Sequence, residues 1–92
     1  MRFNLQVGNT EKHIVEFNFN QLFGTLDIRV DNRSILQSKR VFNEPVHEVY
    51  HFVIDGKEKS DVRIEKRRKA LFGHHSAVFV NDRLTRSVDA YF

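Results

Sequence analysis

The sequence contains no cysteine, which excludes a disulfide framework and a thiol-based active site and fits a reducing compartment. No apolar run approaches the roughly 20 residues that a membrane-spanning helix needs. The opening residues, Met-Arg-Phe-Asn, lack the apolar centre of a signal peptide. These absences predict a soluble, cytoplasmic protein that does not insert into membranes. No motif calls for a cofactor.

Proline, glycine and tryptophan are also scarce, with one, four and none in 92 residues, whereas there are nine phenylalanines. Phenylalanine therefore supplies much of the volume available for a core. A chain of this length is expected to form one domain, residues 1–92. Charged residues make up 29% and hydrophobic residues 40% of the sequence, which is typical of a globular rather than a disordered chain.

Apolar and polar residues alternate along several short segments, the pattern of a strand with one buried face. Turn-forming pairs separate these segments, and Asp55-Gly56 is the strongest hairpin signal among them. Residues 34–42 alternate less regularly, which predicts a bent or bulged strand. The pattern predicts an all-β fold, a small antiparallel β-sandwich of about eight short strands. The alternating segments are 1–7, 15–19, 26–30 and 88–92.

An internal repeat organises the chain. Leu22-Phe23-Gly24 returns as Leu71-Phe72-Gly73, and the strand and turn residues around it return as well. The repeat halves, about 13–36 and 62–85, predict two related meanders. We expect the Leu and Phe side chains to close one end of the core and both glycines to allow a positive φ.

A histidine pair matches the His-Glu-x-x-His pattern of zinc metallopeptidases, at His47, Glu48 and His51. That chemistry requires a helix, because only a helix brings residues four apart onto one face to hold one ion. The segment is rich in β-forming residues, so a strand and a chance match are favoured over a zinc-dependent hydrolase. His74 and His75 adjoin a turn, and as neighbours in a strand they would face opposite ways.

The best candidate site in the sequence is a basic run. Residues 57–69 hold seven Lys/Arg and three acids, which gives this segment a charge of +4. The run could bind a polyanion such as nucleic acid or an anionic surface, or it could only solubilise an exposed hairpin. The first copy of the repeat has Phe17-Asn-Phe-Asn20 where the second has Lys66-Arg-Arg-Lys69. The candidate polyanion-binding residues are Arg63, Lys66, Arg67, Arg68 and Lys69.

Some segments resemble the Fas apoptotic inhibitory molecule family. They are Gly24 followed by Ile-Arg-Val-Asp-Asn-Arg-Ser-Ile at 28–35, Gly73 followed by Val-Phe-Val-Asn-Asp-Arg-Leu at 78–84, and Phe-Val-Ile-Asp-Gly at 52–56. The shared pattern is a strand followed by a tight turn. The resemblance implies a cytosolic β-sandwich that acts through protein–protein contacts, and it assigns no binding residue.

The sequence therefore predicts a non-enzymatic module that binds another protein or associates with itself through an exposed strand edge. Polyanion binding through residues 63–69 is the alternative, and a zinc-dependent hydrolase is the less favoured third hypothesis. No catalytic residue and no metal ligand is assigned.

Overall fold

The structure is a computed structural model that describes residues 1–20, 23–39, 46–69 and 73–90. These residues contain no helix, and hence none that could cross a membrane. They form eight β-strands. The strands are β1 (Arg2–Val7), β2 (His13–Asn20), β3 (Thr25–Val30), β4 (Arg33–Lys39), β5 (His47–Ile54), β6 (Ser60–Arg68), β7 (His74–Val80) and β8 (Arg83–Ala90).

The strands form two antiparallel sheets of four, in the orders β1-β2-β3-β4 and β5-β6-β7-β8. Within each sheet every strand pairs with its neighbours in sequence, so each sheet is a simple meander. We call them the first and the second meander. The predicted all-β fold of two related meanders is confirmed. The chain divides into two compact units built on these meanders, with Asn9–Glu11 grouped with the second. The single domain stays a prediction.

One face of the first meander is buried and apolar. Alternate residues of β1, β2 and β3 are buried, because side chains two apart in a strand point to the same face. The Phe3 and Phe17 rings stack on this face, with centroids 4.9 Å apart. The buried residues are Phe3, Leu5, Val7, Val15, Phe17, Phe19, Leu26 and Ile28.

The second meander also has one buried face, but this face is only partly apolar. Its apolar members are Tyr50, Ile54, Val62, Ile64 and Val78. Four polar residues are buried with them, and they are Ser60, Lys66, His74 and Ser76.

Matching turns and bulges show that the two meanders repeat the same structure. Asp31 and Asn32 have φ of 51° and 66°, and Asn81 and Asp82 have φ of 51° and 63°. Two positive-φ residues between directly paired strand ends define a type I′ hairpin. The pairing register then shifts in both meanders, at Ile28/Arg29 and at Val78/Phe79. The first of these shifts is in the pairing of β3 with β4. It confirms the predicted bulge in the 34–42 region for the described part of β4.

The two glycines of the Leu-Phe-Gly repeat both have positive φ, 66° at Gly24 and 96° at Gly73, as predicted. The expected role of Phe23 is wrong, because its side chain is 59% exposed rather than packed at the end of a core. Leu22, Leu71 and Phe72 lie outside the described residues.

The copies of the repeat align differently in the structure than in the sequence. Phe19 pairs with Leu26 in the first meander, and the corresponding pair in the second is Lys66 with Ser76. Residues 17–20 therefore correspond to 64–67, and the sequence alignment with 66–69 is wrong by two positions. The cause is a longer β6–β7 hairpin, which has an additional pair between Arg68 and His74 before its loop.

The hairpin predicted at Asp55-Gly56 is present, but its loop is longer than a two-residue turn. Ile54 pairs with Ser60, so residues 55–59 form a five-residue loop. The segment at 47–54 is a strand, β5, paired along its whole length with β6.

Candidate interaction surface

β6 has two chemically different sides. Val62, Ile64 and Lys66 lie on the buried face of the second meander, whereas Arg63, Glu65 and Arg67 lie on the opposite face. We call the side that carries these last three residues the exposed face. The predicted basic run is therefore divided between two faces.

The five predicted polyanion-binding residues do not form one surface. Lys66 is only 2% exposed and lies on the buried face. Arg63 and Arg67 lie on the exposed face, and Lys69 follows β6 and lines a groove there with Arg67. Arg68 is exposed at the end of the strand, where its N–H donates to Val46 O at 2.8 Å. A continuous basic stripe along 63–69 is therefore not formed.

Acidic side chains neutralise most of the basic groups on the exposed face. Arg63 donates to Glu65 at 3.0 Å and to Asp82 at 2.9 Å, and its guanidinium lies 4.4 Å from the centroid of the Phe79 ring. Lys69 lies 3.1 Å from Asp89. A polyanion would have to compete with these carboxylates, which lowers the attraction that counterion release could provide.

Arg67 is different from its neighbours. It is exposed, and its side chain makes no hydrogen bond or ion pair with any described residue. It lies at the centre of a cross-strand row, in which His47 is paired with Arg67, Arg67 with His75, and His75 with Asp89. The row crosses all four strands of the second meander, so it places the Arg67 guanidinium between two imidazoles.

A shallow groove of about 520 Å³ follows this row. Ala77, the smallest side chain of the lining, lies opposite Glu65. A hydrogen bond from His75 (2.9 Å), and then one from Lys69, hold the pKa of Asp89 below its usual value, so Asp89 stays ionised. The groove is lined by His47, Glu65, Arg67, Lys69, His75, Ala77 and Asp89.

The His-Glu-x-x-His motif lies on a strand, so the helical geometry of a zinc peptidase is absent from it. Residues four apart in a strand are about 13 Å apart, which is too far for two ligands of one zinc ion. His47 lies 3.7 Å from Glu65, and His51 lies 2.7 Å from Asp61. The described residues include no group of three metal-ligating side chains close enough to hold an ion.

His74 and His75 face opposite ways, as the sequence predicts. His74 is 1% exposed on the buried face, and His75 lies in the groove beside Asp89. The pair therefore cannot act together on one ligand.

The sequence reasoning missed a polar row on the buried face. Glu48 is paired with Lys66, and Lys66 with Ser76. The Tyr50 hydroxyl donates to Glu48, and Lys66 Nζ lies 5.9 Å from the centroid of the Tyr50 ring, a cation–π arrangement. The signal was present in the alternation Val62, Ile64, Lys66.

β5 is an edge strand whose second side has no neighbour among the described strands. Arg68 N–H bonds to Val46 O, so these two residues form a hydrogen-bonded pair. In an antiparallel ladder every second residue then directs its N–H and C=O to the same neighbour, so alternate residues from Glu48 to Ile54 direct theirs towards β6. The backbone N–H and C=O groups of the other residues therefore point to the open side. Those residues are His47, Val49, His51 and Val53.

The open edge of β5 also carries exposed valines and no Lys or Arg. Val49 and Val53 are 47% and 42% exposed. Of the four edge strands that the structure describes, β5 is the one without Lys or Arg. β1 carries Arg2, β4 carries Arg33 and Lys39, and β8 carries Arg83 and Arg86. Charged side chains of this kind normally protect an edge from pairing with another chain.

The exposed face of the first meander is mainly polar, and charged groups on it bond to one another. Asp27 accepts hydrogen bonds from Ser34 at 2.6 Å and from Arg29 at 2.8 Å. These bonds, that from Ser34 first, hold the pKa of Asp27 below its usual value. A groove of about 500 Å³ lies between Arg2, Glu16 and Arg29, without a group that stands out as a binding residue.

Comparison with known proteins gives no match to a protein-family model, to a curated protein or to a solved structure. The resemblance to the Fas apoptotic inhibitory molecule family stays a prediction, and function is argued from the geometry of this chain.

Proposed function

We propose that this chain is a non-enzymatic protein-interaction module that binds an extended segment of a partner along the open edge of β5. One observation carries the proposal: β5 combines outward-directed backbone groups with exposed valines and lacks the Lys or Arg found on the other three described edge strands. Addition of a strand to such an edge gives affinity through main-chain hydrogen bonds, and side-chain contacts give specificity.

The two edges of the second meander differ in the way that this function requires. β8 also exposes a large apolar side chain, Leu84, at 60%. Arg83 and Arg86 flank it on the same strand. A strand that approached β8 would have to desolvate or displace these charges, whereas one that approached β5 would meet Val49 and Val53 directly. β5 is therefore the favoured docking edge.

Hydrogen exchange on peptide binding tests the proposal. Peptides would be selected from a displayed library of random ten-residue sequences, and exchange would be followed with and without them. We expect protection to appear at the amides of His47, Val49, His51 and Val53, because these gain partners on binding. Amides bonded to β6 in the free protein should change little.

A matched pair of variants makes this test specific. Val49→Lys places on β5 the charge that the other edges carry, and it should abolish binding of the selected peptides. Leu84→Lys makes the same change on β8 and should leave binding intact. Equal binding to Val49→Lys and the unmodified protein, or protection confined to residues outside β5, would show that the proposal is wrong.

Polyanion binding is the second candidate. It is favoured by Arg67 and Arg68, which have no side-chain partner among the described residues. Retention on a heparin column, compared with that of the double variant Arg67→Gln/Arg68→Gln, tests it. Strong, salt-sensitive retention that the variant loses would support it, and equal retention of both proteins would exclude a role for these residues.

A further inference from the structure

We infer that the segment bound along β5 carries an acidic side chain, which Arg67 recognises across β5. This inference rests on the proposed function, because it requires a strand at the β5 edge. It adds the chemical class of the partner, an extended acidic segment with an alternating apolar face.

The row through Arg67 fixes where the acid would lie. A strand added to β5 would place one of its side chains opposite His47 on the exposed face. That side chain would extend the row of His47, Arg67, His75 and Asp89 by one member. Neighbouring strands are about 4.8 Å apart, so the incoming backbone would lie roughly 10 Å from that of β6. Glutamate and arginine side chains extended towards each other can span that distance above His47.

Charge decides which side chain fits there. Arg63 is bonded to Glu65 and Asp82, and Lys69 is paired with Asp89. Arg67 has no acidic partner among the described residues, although it lies in the same groove. Among protein side chains, a carboxylate binds a guanidinium through two parallel hydrogen bonds. An arginine or lysine in the incoming strand would instead meet a like charge.

The same row argues against a second copy of this chain as the occupant. If β5 paired with β5 of another copy with the exposed faces matched, only outward residues of β5 would approach the row. Those residues are His47, Val49, His51 and Val53, and none is acidic. The acid of β5, Glu48, bonds with Tyr50 on the other side of the strand. Pairing of β5 with β5 therefore offers no carboxylate to Arg67, which favours a different protein as the occupant.

The register of β5 extends the prediction along the partner. The partner residue two positions from the acidic one would lie opposite Val49. The partner residue four positions beyond that would lie opposite Val53. Cross-strand pairs of β-branched residues are favourable, so we expect Val, Ile or Thr at these positions. The partner therefore carries an acidic residue followed or preceded by an apolar residue two positions away on the same face.

Three synthetic peptides test the inference. Each is an acetylated fourteen-residue peptide of alternating Val and Thr, beginning with Val, in which the Val at the seventh position is replaced by Glu, Gln or Lys. We expect the Glu peptide to bind roughly 1.5-fold to fivefold more tightly than the Gln peptide, and the Lys peptide to bind most weakly. Arg67→Glu should reverse the order of the Glu and Lys peptides. Arg83→Glu, the same change of charge on exposed β8, should preserve it.

The outcomes separate the inference from the proposed function. Equal affinity for the Glu and Gln peptides, with protection still gained at Val49 and His51, would overturn the inference and leave edge binding in place. Absence of peptide protection on β5 would overturn edge binding and the inference together. A dimer in sedimentation experiments that Val49→Lys dissociates and Leu84→Lys does not would identify a second copy as the occupant, and would also overturn the inference.

Discussion

Lys66 occupies in the second meander the position that Phe19 occupies in the first. Phe19 is paired with Leu26 on an apolar buried face, and Lys66 with Ser76 at the corresponding place. The copies thus differ in chemistry on the buried face as well as on the exposed one. A charge replaces an aromatic ring, and the nearby Tyr50 ring contributes a cation–π contact.

Because Lys66 is buried and its neighbour Arg67 is exposed, we expect the same substitution at the two positions to change the free energy of unfolding by very different amounts. Lys66→Glu places a carboxylate beside Glu48 on the buried face, and we expect it to cost about 3 kcal/mol or more of unfolding free energy. Arg67→Glu changes a solvated side chain and should change stability by no more than about 0.5 kcal/mol. Urea unfolding of both variants measures this. Similar losses for the two would contradict the assignment of the faces of β6.

The turn between β3 and β4 predicts an effect of backbone conformation. Asn32 has φ of 66°. Glycine adopts this conformation without strain, whereas a β-branched residue is disfavoured there by roughly 1–2 kcal/mol. We expect Asn32→Gly to preserve or raise the thermal midpoint and Asn32→Val to lower it. If both substitutions had the same effect, the type I′ turn would be the wrong description.

Strands and turns follow from the sequence because they depend on local signals. Alternation placed Val15, Phe17 and Phe19 on one face, and Asp-Asn pairs marked positive-φ turns. Positive φ at Gly24 and Gly73 was predictable for the same reason. The inward position of Lys66 was not predicted although it continues the alternation of Val62 and Ile64, because lysine is rarely buried.

The candidate site was less predictable than the fold. In the sequence the run of Lys and Arg suggests one basic patch. In the strand, alternation places Lys66 on one face and Arg67 on the other. Which cations are neutralised depends on acids from other strands, such as Asp82 and Asp89, and therefore on cross-strand register. The open edge of β5 depends on sheet order, which no local pattern specifies.

Acid pH should destabilise the first meander partly through Asp31. A hydrogen bond from the His13 ring (2.6 Å), and then one from the N–H of Ile14, hold the pKa of Asp31 below its usual value. A carboxyl whose folded pKa is lowered stabilises the folded state fully above its unfolded pKa, roughly 4, and this stabilisation is lost as pH falls through the folded pKa.

The variant Asp31→Asn removes that titration. Urea unfolding between pH 6 and pH 2 should therefore show a smaller loss of stability on acidification for Asp31→Asn than for the unmodified protein. Asp55→Asn serves as the control, since the Asp55 side chain has no hydrogen bond or ion pair with a described residue. An unchanged pH profile for Asp31→Asn would show that the bonds to His13 and Ile14 do not persist in solution.

Hydrogen exchange in the free protein tests the open edge without any ligand. The amides of His47, Val49, His51 and Val53 point away from β6 and should exchange quickly, whereas the even-numbered amides between them bond to β6 and should exchange slowly. β6 provides the internal control, because it has a neighbour on each side and its amides from Val62 to Lys66 should all be slow. Uniformly slow exchange along β5 would mean that its edge is covered in solution, and strand addition would then require displacement of whatever covers it.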